Sequence, residues 1–396
     1  MNSRRKQEPG WFAGTELRAY AKRAAWACAL LFCSLGVQAQ ALLVTAETLS
    51  SGLDHPWALA FAPDGRYLVT ERPGRLRVIG AKGELSAPVL GLPPVDAVGQ
   101  GGLLDLVLAT DFARSRRLYF CFAEPGVGQE AGRNSTALAS ARLSDDAKQL
   151  EDLRIIFSQK PKVASRHHFG CRIVLHPDGS IYLTLGDRYQ LMDKAQSLNN
   201  HAGKVVRIRP DGSVPPGNPF AGQPGALPEI WSYGHRNMQG ATLGPDGDVW
   251  THEHGPQGGD EINIVRAGRN YGWPIITYGE NYGGGKIGEG ITAKPGMEQP
   301  LHYWVPSIAP SGMAFLNSDH YGPGTRGRLL VGSLKFGRLH SLTLKNTQVV
   351  AEQQIAVGER VRDVRVGPDG LIYVLTDQAN GKLLRLNPAA VASRKP

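Results

Sequence analysis

One short phrase recurs along this chain and limits what it can fold into. Pro-Asp-Gly followed by an alternating apolar run occurs four times. It stands at Pro63-Asp64-Gly65 before Tyr67-Leu68-Val69-Thr70, at Pro177-Asp178-Gly179 before Ile181-Tyr182-Leu183-Thr184-Leu185, at Pro245-Asp246-Gly247 before Val249-Trp250-Thr251, and at Pro368-Asp369-Gly370 before Leu371-Ile372-Tyr373-Val374-Leu375. Proline presets φ and glycine admits φ > 0, so each tripeptide closes a β-hairpin. The successive aspartates are 114, 68 and 123 residues apart. These spacings are two, one and two units of roughly 60 residues. The two missing units carry strands without the turn: Leu118-Tyr119-Phe120-Cys121-Phe122, and Arg328 to Gly332 followed by Arg338 to Leu342. A unit of some four short strands cannot bury both faces alone, whereas radial stacking buries them and leaves only short edges. The expected fold is all-β, a six-bladed β-propeller of four-stranded antiparallel blades. Leu42 to Leu49 would complete the last blade. A two-sheet sandwich is the structural alternative. A fifth Pro-Asp-Gly, at Pro210, follows Val205-Val206-Arg207-Ile208 too soon to start a blade. It opens a Pro-rich loop to Phe220, and a Gly-rich loop runs from Tyr282 to Gly290. Long insertions of this kind build the mouth of a central site.

The first 39 residues read differently. Arg4, Arg5, Lys6, Arg18, Lys22 and Arg23 precede an apolar run from Ala24 to Val37, and Val37-Gln38-Ala39 places small residues at −3 and −1 of a cleavage site. This is the pattern of a secretory signal peptide, with a long charged leader. The alternative, a membrane anchor, needs about 20 apolar residues, more than this run supplies. The propeller domain is then expected over 40–390, with a short tail at 391–396, in the periplasm or secreted and without membrane insertion once the signal is removed. The full chain carries a net charge of +9. Without the leader, thirty-eight basic residues face thirty-three acidic ones, an unclustered +5 that does not imply nucleic acid. Cys121 and Cys171 remain, both in apparent strands, and either a disulfide or two buried thiols fits them. No zinc-ligand spacing occurs.

Several constellations could carry chemistry. His168 precedes the strand Ile173-Val174-Leu175 and Asp187 follows its hairpin partner, so antiparallel pairing returns the carboxylate to the imidazole, as a general base requires. His167, its neighbour on an extended segment, would point the other way. Gln100 sits among glycines in Gly99-Gln100-Gly101-Gly102, where backbone can approach a ligand closely. Arg236 and Asn237, in Gly234-His235-Arg236-Asn237, suit an anionic or carbonyl-rich ligand. Glu253-His254-Gly255-Pro256-Gln257-Gly258-Gly259-Asp260-Glu261 exposes carbonyls and ends in two carboxylates, a set of oxygens suited to Ca²⁺. His252 and His254 form no closed zinc set. Gly268 to Pro274, with Tyr271, is rigid and aromatic. Lys335 sits in a Gly-bounded segment. Arg360 and Arg362 flank Val361 on one strand face, where they need an anion, Asp363 or solvent between them.

In this order, the motifs from about Leu53 to Leu386 resemble the glucose/sorbosone dehydrogenase family, and within it the soluble aldose sugar dehydrogenases that use pyrroloquinoline quinone (PQQ), which are six-bladed propellers. The resemblance implies that Gln100, Arg236, Asn237, Lys335, Arg360 and Arg362 bind PQQ. It implies that His168, in His-Phe-Gly-x-Arg, is the base, oriented by Asp187. It implies that Gly255 and Pro256 offer carbonyls to a catalytic Ca²⁺, while Asp260, Glu261 and Tyr271 fall where a second, structural Ca²⁺ is held. Cys171, His167 and His254 depart from the usual residues, and His302 to Ser307 aligns poorly. The implied reaction has His168 taking the anomeric proton while hydride passes to PQQ, with Ca²⁺ and Arg236 stabilising the charge, so that an aldose becomes its lactone and an unidentified acceptor receives the electrons. The competing classes are a non-catalytic sugar-binding or interaction propeller and a Ca²⁺-dependent propeller lactonase. The first has no need of the basic set together with His168. The second needs acidic and Asn ligands lining the channel, and no such set is visible.

Overall fold

The turn chemistry carries through to three dimensions. In three of the four repeats the aspartate Oδ1 accepts the main-chain N–H two residues on, from Arg66 at 3.1 Å, Ser180 at 2.8 Å and Leu371 at 3.1 Å. The glycines at 65, 179, 247 and 370 take φ of 83°, 82°, 83° and 73°. Side-chain capping plus a left-handed glycine makes each hairpin tight.

The computed structural model describes residues 41–389. The expected signal peptide and the tail at 391–396 lie outside the described residues. The chain begins with β1 (Val44–Leu53). Blade 1 is β2 (Pro56–Phe61), β3 (Tyr67–Glu71) and β4 (Arg75–Ile79). Blade 2 is β5 (Leu103–Leu108), β6 (Arg117–Pro125), β7 (Asn134–Leu143) and β8 (Leu150–Ser158). Blade 3 is β9 (Gly170–Leu175), β10 (Ile181–Leu185), β11 (Lys204–Ile208) and β12 (Ile230–Tyr233). Blade 4 is β13 (Met238–Leu243), β14 (Val249–Glu253), β15 (Asp260–Val265) and β16 (His302–Trp304). Blade 5 is β17 (Pro310–Phe315), β18 (Leu329–Ser333), β19 (Arg338–Lys345) and β20 (Gln348–Ala356). Blade 6 is β21 (Val361–Val366), β22 (Ile372–Thr376) and β23 (Gly381–Pro388), with β1 as its outer strand. The fold is the expected six-bladed propeller of antiparallel blades, closed by the N-terminal strand. Blade 1 has three strands, and Leu85 adds an isolated bridge to Ile79. Blades 2 and 5 lack the turn phrase because other structures make the turn. A helical turn at Phe112–Ser115 joins β5 to β6, and a longer loop joins β17 to β18.

The first strands of the six blades lie side by side round the axis, β2, β5, β9, β13, β17 and β21 in turn. Apolar side chains fill the wedges between blades. Phe120, Phe122, Leu118 and Phe169 are buried in the cluster spanning blades 1 to 3, each such side chain contributing ~1.5–3 kcal/mol. Cys121 of β6 and Cys171 of β9 form a disulfide between blades 2 and 3, with Cα atoms 5.9 Å apart.

All six inner strands share a register irregularity at the same end, where their pairing with the second strand slips. A bulge bends a strand and re-aims side chains that strict alternation would send elsewhere. On β21 the slip lies between Val361 and Asp363, and Arg362 and Asp363 both turn inward, one to the rim and one into the channel. The rim is therefore built from the starts of first strands and the ends of second strands.

Candidate active site

The imidazole of His168 is the best-defined group on that rim. Leu185 pairs with Gly170, so the hairpin brings Asp187 Oδ1 to 2.6 Å from His168 Nδ1. Asp187 is itself immobilised. Its Oδ1 also accepts from Tyr189 N at 2.7 Å, and its Oδ2 from Trp273 Nε1 at 2.7 Å. Gly186 has to be glycine, because a Cβ there would lie 2.0 Å from the His168 carbonyl. His168 takes φ of 53°, a left-handed conformation that costs free energy in a non-glycine residue and is held only by its surroundings. Those surroundings are two amides and the disulfide at Cys171. Gln100 Oε1 accepts His168 N–H at 2.8 Å, and Asn237 Oδ1 accepts Gly170 N–H at 3.2 Å. His167 is exposed and His168 is 6% exposed.

Burial lowers the His168 pKa, opposed by Asp187 and assisted by the charges of Arg236 and His167. The sequence suggests that the carboxylate raises basicity. That pull is present, but desolvation outweighs it. The imidazole is thus neutral at pH 7, with Nδ1 turned to Asp187 and Nε2 as its other nitrogen, the state in which a base can accept a proton.

Next to this group lies a cavity of about 660 Å³. Gln100, Asn237, Lys335, Arg360 and Arg362 all line it, as do His55, Trp57, Arg72, Gln239, His254 and Asp377. Five of the six residues expected at a cofactor thus meet in one space. Its charge is unbalanced. Asp377 Oδ2 accepts from Arg362 Nη2 at 2.9 Å and Arg360 Nη2 at 3.3 Å, and His55 Nδ1 lies 3.3 Å from its Oδ1. Burial raises the Asp377 pKa, but Arg362, Arg360 and His55 together hold it well below the carboxylate range. One carboxylate then shares the cavity with four cations, Arg72, Lys335, Arg360 and Arg362. Arg362 Nε is buried without a hydrogen-bond partner. The cavity suits a planar polyanion, with the indole of Trp57 at its base.

The sixth residue, Arg236, is set back from this cavity. Its Nη1 donates to the carbonyls of His254 at 3.0 Å and Gly255 at 2.9 Å, and its Nε has no partner. Gly255 sits in a turn where a Cβ would lie 2.1 Å from the Gly258 carbonyl. Carbonyls converge there, and with Pro256 next in the chain the donor set is hard oxygen, which fits Ca²⁺ and not zinc.

The residues expected at a second metal separate. Alternation along β15 sends Asp260 and Glu261 to opposite sides. Both Asp260 oxygens are engaged, Oδ1 by Gly255 N and Oδ2 by Ser307 Oγ, Ile308 N and Ala309 N. Glu261 instead meets Glu253 at a void of about 10 Å³, the size for one water or ion. Burial and Glu253 push the Glu261 pKa well above the usual range, so a cation bound there would take the place of a proton. The Tyr271 ring lines the void, but its hydroxyl donates to Ile264 O at 2.5 Å and accepts from Arg266 N at 2.9 Å. Only its main chain is left for a metal. No cluster of three or more His, Cys, Asp or Glu side chains suited to a metal occurs among the described residues.

Sequence reasoning passed over Asp377 and Trp57, and gave no role of their own to Glu253 and Trp273 within the segments it singled out. Asp377 and Glu253 had a usable signal. Each ends the second strand of a Pro-Asp-Gly hairpin, the position Asp187 occupies in blade 3.

Comparison with known proteins identifies the family. Residues 53–385 match the family model described as Glucose / Sorbosone dehydrogenase. The chain is 46% identical over 366 residues to Aldose sugar dehydrogenase YliI of Escherichia coli, covering 91% of this chain and 97% of that one. A crystal structure of a glucose dehydrogenase is 48% identical and superposes with a TM-score of 0.83, covering 88% of this chain and 100% of that one. The PQQ-bound Aldose Sugar Dehydrogenase of Streptomyces coelicolor is 27% identical with a TM-score of 0.70, over 88% and 99% of the two chains. The chain belongs to the glucose/sorbosone dehydrogenase family and is an oxidoreductase of the aldose sugar dehydrogenase kind.

Proposed function

We propose that this protein oxidises the anomeric carbon of aldose sugars to lactones with PQQ and Ca²⁺, in the periplasm or outside the cell. The observation that carries the proposal is the pairing of a neutral, carboxylate-oriented histidine with an adjacent cavity holding four cations against one carboxylate. PQQ is a planar tricarboxylate whose quinone accepts hydride. Lys335, Arg360 and Arg362 would hold its carboxylates through charge-assisted hydrogen bonds, and Gln100 and Asn237 would bind its edge while bracing the His168 loop. His168 Nε2 takes the anomeric hydroxyl proton, and Asp187 stabilises the imidazolium that results. The Gly255 and Pro256 carbonyls would hold Ca²⁺, which supplies Lewis-acid polarisation beside Arg236. Glu261, with Glu253 and the Tyr271 main chain, is our candidate for a second Ca²⁺. The PQQ-bound relative supports the cofactor. The disulfide and the pattern of residues 1–39 support export of a mature domain of 40–390.

The test is dye-linked aldose oxidation by protein freed of cofactor, with and without added PQQ and Ca²⁺. Activity is expected only with both. In single-turnover mixing, His168→Gln should slow cofactor reduction by about 10²–10⁴-fold, while His167→Gln has little effect. Loss with His167→Gln and not with His168→Gln would reassign the base, and no aldose oxidation under any condition would refute the function.

A further inference from the structure

Lys204, the first residue of β11, carries a charge that the reaction as derived above leaves idle. The residue is fully buried. Its Nζ donates to three main-chain carbonyls, those of Lys194 at 3.1 Å, Ala195 at 2.9 Å and Ala202 at 2.5 Å. An ammonium has three protons, so the set is complete. Burying a cation against neutral dipoles costs free energy, and an apolar side chain would fill the same space without that cost. What the charge holds together is therefore informative.

Lys194 and Ala195 belong to the short helical turn Met192–Gln196. The start of this segment hangs from Asp187, whose carbonyl accepts Leu191 N–H at 3.3 Å. Its end holds Trp273. Gln196 Nε2 donates to the Trp273 carbonyl at 2.8 Å, and Ala195 packs with Trp273 and Ile287 in a small buried cluster. The indole of Trp273 is the group that donates to Asp187 Oδ2 at 2.7 Å. Lys204 also pairs across the sheet with Leu185, two residues before Asp187. The turn that carries Arg236 is tied to the same knot. Ala195 O accepts Gly234 N–H at 3.0 Å, Gly203 O accepts His235 N–H at 3.1 Å, and Arg236 O accepts Asp187 N–H at 2.8 Å. One ammonium thus sits where the supports of Asp187 and of Arg236 meet.

Burial lowers the Lys204 pKa to about 7, opposed by the charge of Asp187. The other charged or titratable groups on the surrounding segments are engaged or in solvent. His235 lies between Ser232 Oγ at 2.8 Å and Glu253 Oε1 at 3.0 Å, and the side chains of Asp193 and Lys194 are exposed. Loss of the Lys204 proton leaves three carbonyls to two N–H groups and removes the charge that strengthens each bond.

We propose that Lys204 is a positioning residue for the reaction: its ammonium clamps the turn on which Trp273 rests, and through Trp273 and Asp187 it holds the His168 imidazole in its working orientation. The proposal rests on the aldose-oxidising function above and adds the group that keeps its base in place.

The experiment uses Lys204→Met, which keeps the stem and removes the charge, and Lys204→Arg, which keeps the charge. The first measurement is the rate constant of PQQ reduction by excess aldose in single-turnover mixing, expressed per cofactor-binding site counted by titration with PQQ. The second needs neither sugar nor cofactor. It is the low-field proton NMR signal of the imidazole N–H shared with Asp187, identified by its loss in His168→Gln. Lys204→Met should lower the rate constant by about tenfold with sugar KM and PQQ affinity changed less than about twofold, and should broaden the N–H signal. Lys204→Arg should retain most of both. In the wild-type chain, rate constant and signal should fall together as pH rises through about 7, and in Lys204→Arg they should not. Fewer binding sites with an unchanged rate constant in those that remain, and an unaltered signal, overturn the clamp and leave the function standing. Equal losses in the two variants overturn it as well, because the charge then does not matter. Should Lys204→Met yield no folded protein, the pH comparison decides, and the same pH dependence in wild type and Lys204→Arg overturns the clamp. A signal that follows the charge at position 204, in a protein that oxidises no aldose, supports the clamp and overturns the function.

Discussion

Two sets of basic and acidic side chains, one on the inner strands and one at their rim, behave in opposite ways. Within the channel, Asp105 of β5, Arg172 of β9, and Asp363 and Arg365 of β21 form a closed quartet. Asp105 Oδ1 is 3.2 Å from Arg172 Nη1 and 2.6 Å from Arg365 Nη2, and Asp363 is 3.0 Å from Arg172 and 2.8 Å from Arg365. Asp105 Oδ2 accepts Ile173 N at 2.9 Å, and Asp363 Oδ2, which faces Arg365, also accepts Leu59 N at 3.0 Å. Two charges of each sign cancel. At the rim, Arg360 and Arg362 share the carboxylate of Asp377, and Arg72 and Lys335 line the same cavity. Trp57 divides the two sets, with the Arg172 guanidinium 4.1 Å from its ring and that of Arg362 at 5.8 Å. The same residue types make a structural plug when balanced and enclosed, and a ligand site when unbalanced and open to solvent.

The largest effect should come from breaking the plug. Asp105→Ala leaves Ile173 N without its acceptor and two guanidiniums, Arg172 and Arg365, on the one carboxylate of Asp363, and losing one partner of a buried ionic set costs about 3–5 kcal/mol. Urea unfolding at fixed pH measures it, and a loss under about 1 kcal/mol would deny that the quartet is a closed unit. The corresponding change at the rim should move affinity instead of stability. Arg362→Ala is expected to weaken PQQ binding by about tenfold or more, with turnover at saturating cofactor much less affected. Titration that shows unchanged affinity would remove Arg362 from the site.

A pH profile gives a smaller effect with a definite sign. The base must be neutral, and burial lowers the His168 pKa. The acid limb of kcat/KM should therefore lie below the ordinary imidazole value of about 6.5, with the rate falling as pH drops through it. Asp187→Asn removes the opposing pull and should move that limb further toward acid. A limb at or above the ordinary value contradicts the buried, neutral base. The smallest effect is expected from Asp377→Asn. It takes the one negative charge from the rim, so PQQ affinity at low salt should rise a few-fold and fall more steeply with added salt. Weaker binding would show that Asp377 chiefly orients Arg360 and Arg362.

Local chemistry made much of this legible in advance. Pro-Asp-Gly and period-two alternation identify the blades because turn and strand preferences act over a few residues. The His168–Asp187 contact follows from the hairpin alone. Asp377 and Glu253 obey the same geometry, but the sequence reading did not pair them with His55 and His235, the imidazoles they meet at 3.3 and 3.0 Å. Asp260 and Glu261 look like one bidentate feature in sequence, and only their places on β15 show that they serve different surroundings. The quartet was invisible, since Asp105 and Arg365 meet only once the ring has closed. Asp363 was noticed merely as a possible neighbour of two arginines. The disulfide stayed open for a similar reason, because two strand cysteines can pair or pack, and only the seating of β6 against β9 brings their Cα atoms to 5.9 Å.

The closure of the ring has a temporal side. β1 is among the first segments of the described chain to be synthesised and β23 the last strand, yet they pair along their length, from Val44 with Pro388 to Leu53 with Gly381. Contacts so distant in sequence form slowly and late. His55 and Trp57 stand just after this seam, while Arg360, Arg362 and Asp377 belong to the blade that β1 seals. The anion cavity therefore comes into being only when the two ends of the chain have met. A ligand that binds there binds only the sealed ring, and by mass action it holds the seam shut. Cofactor loading, on this view, is the latch on the last step of folding.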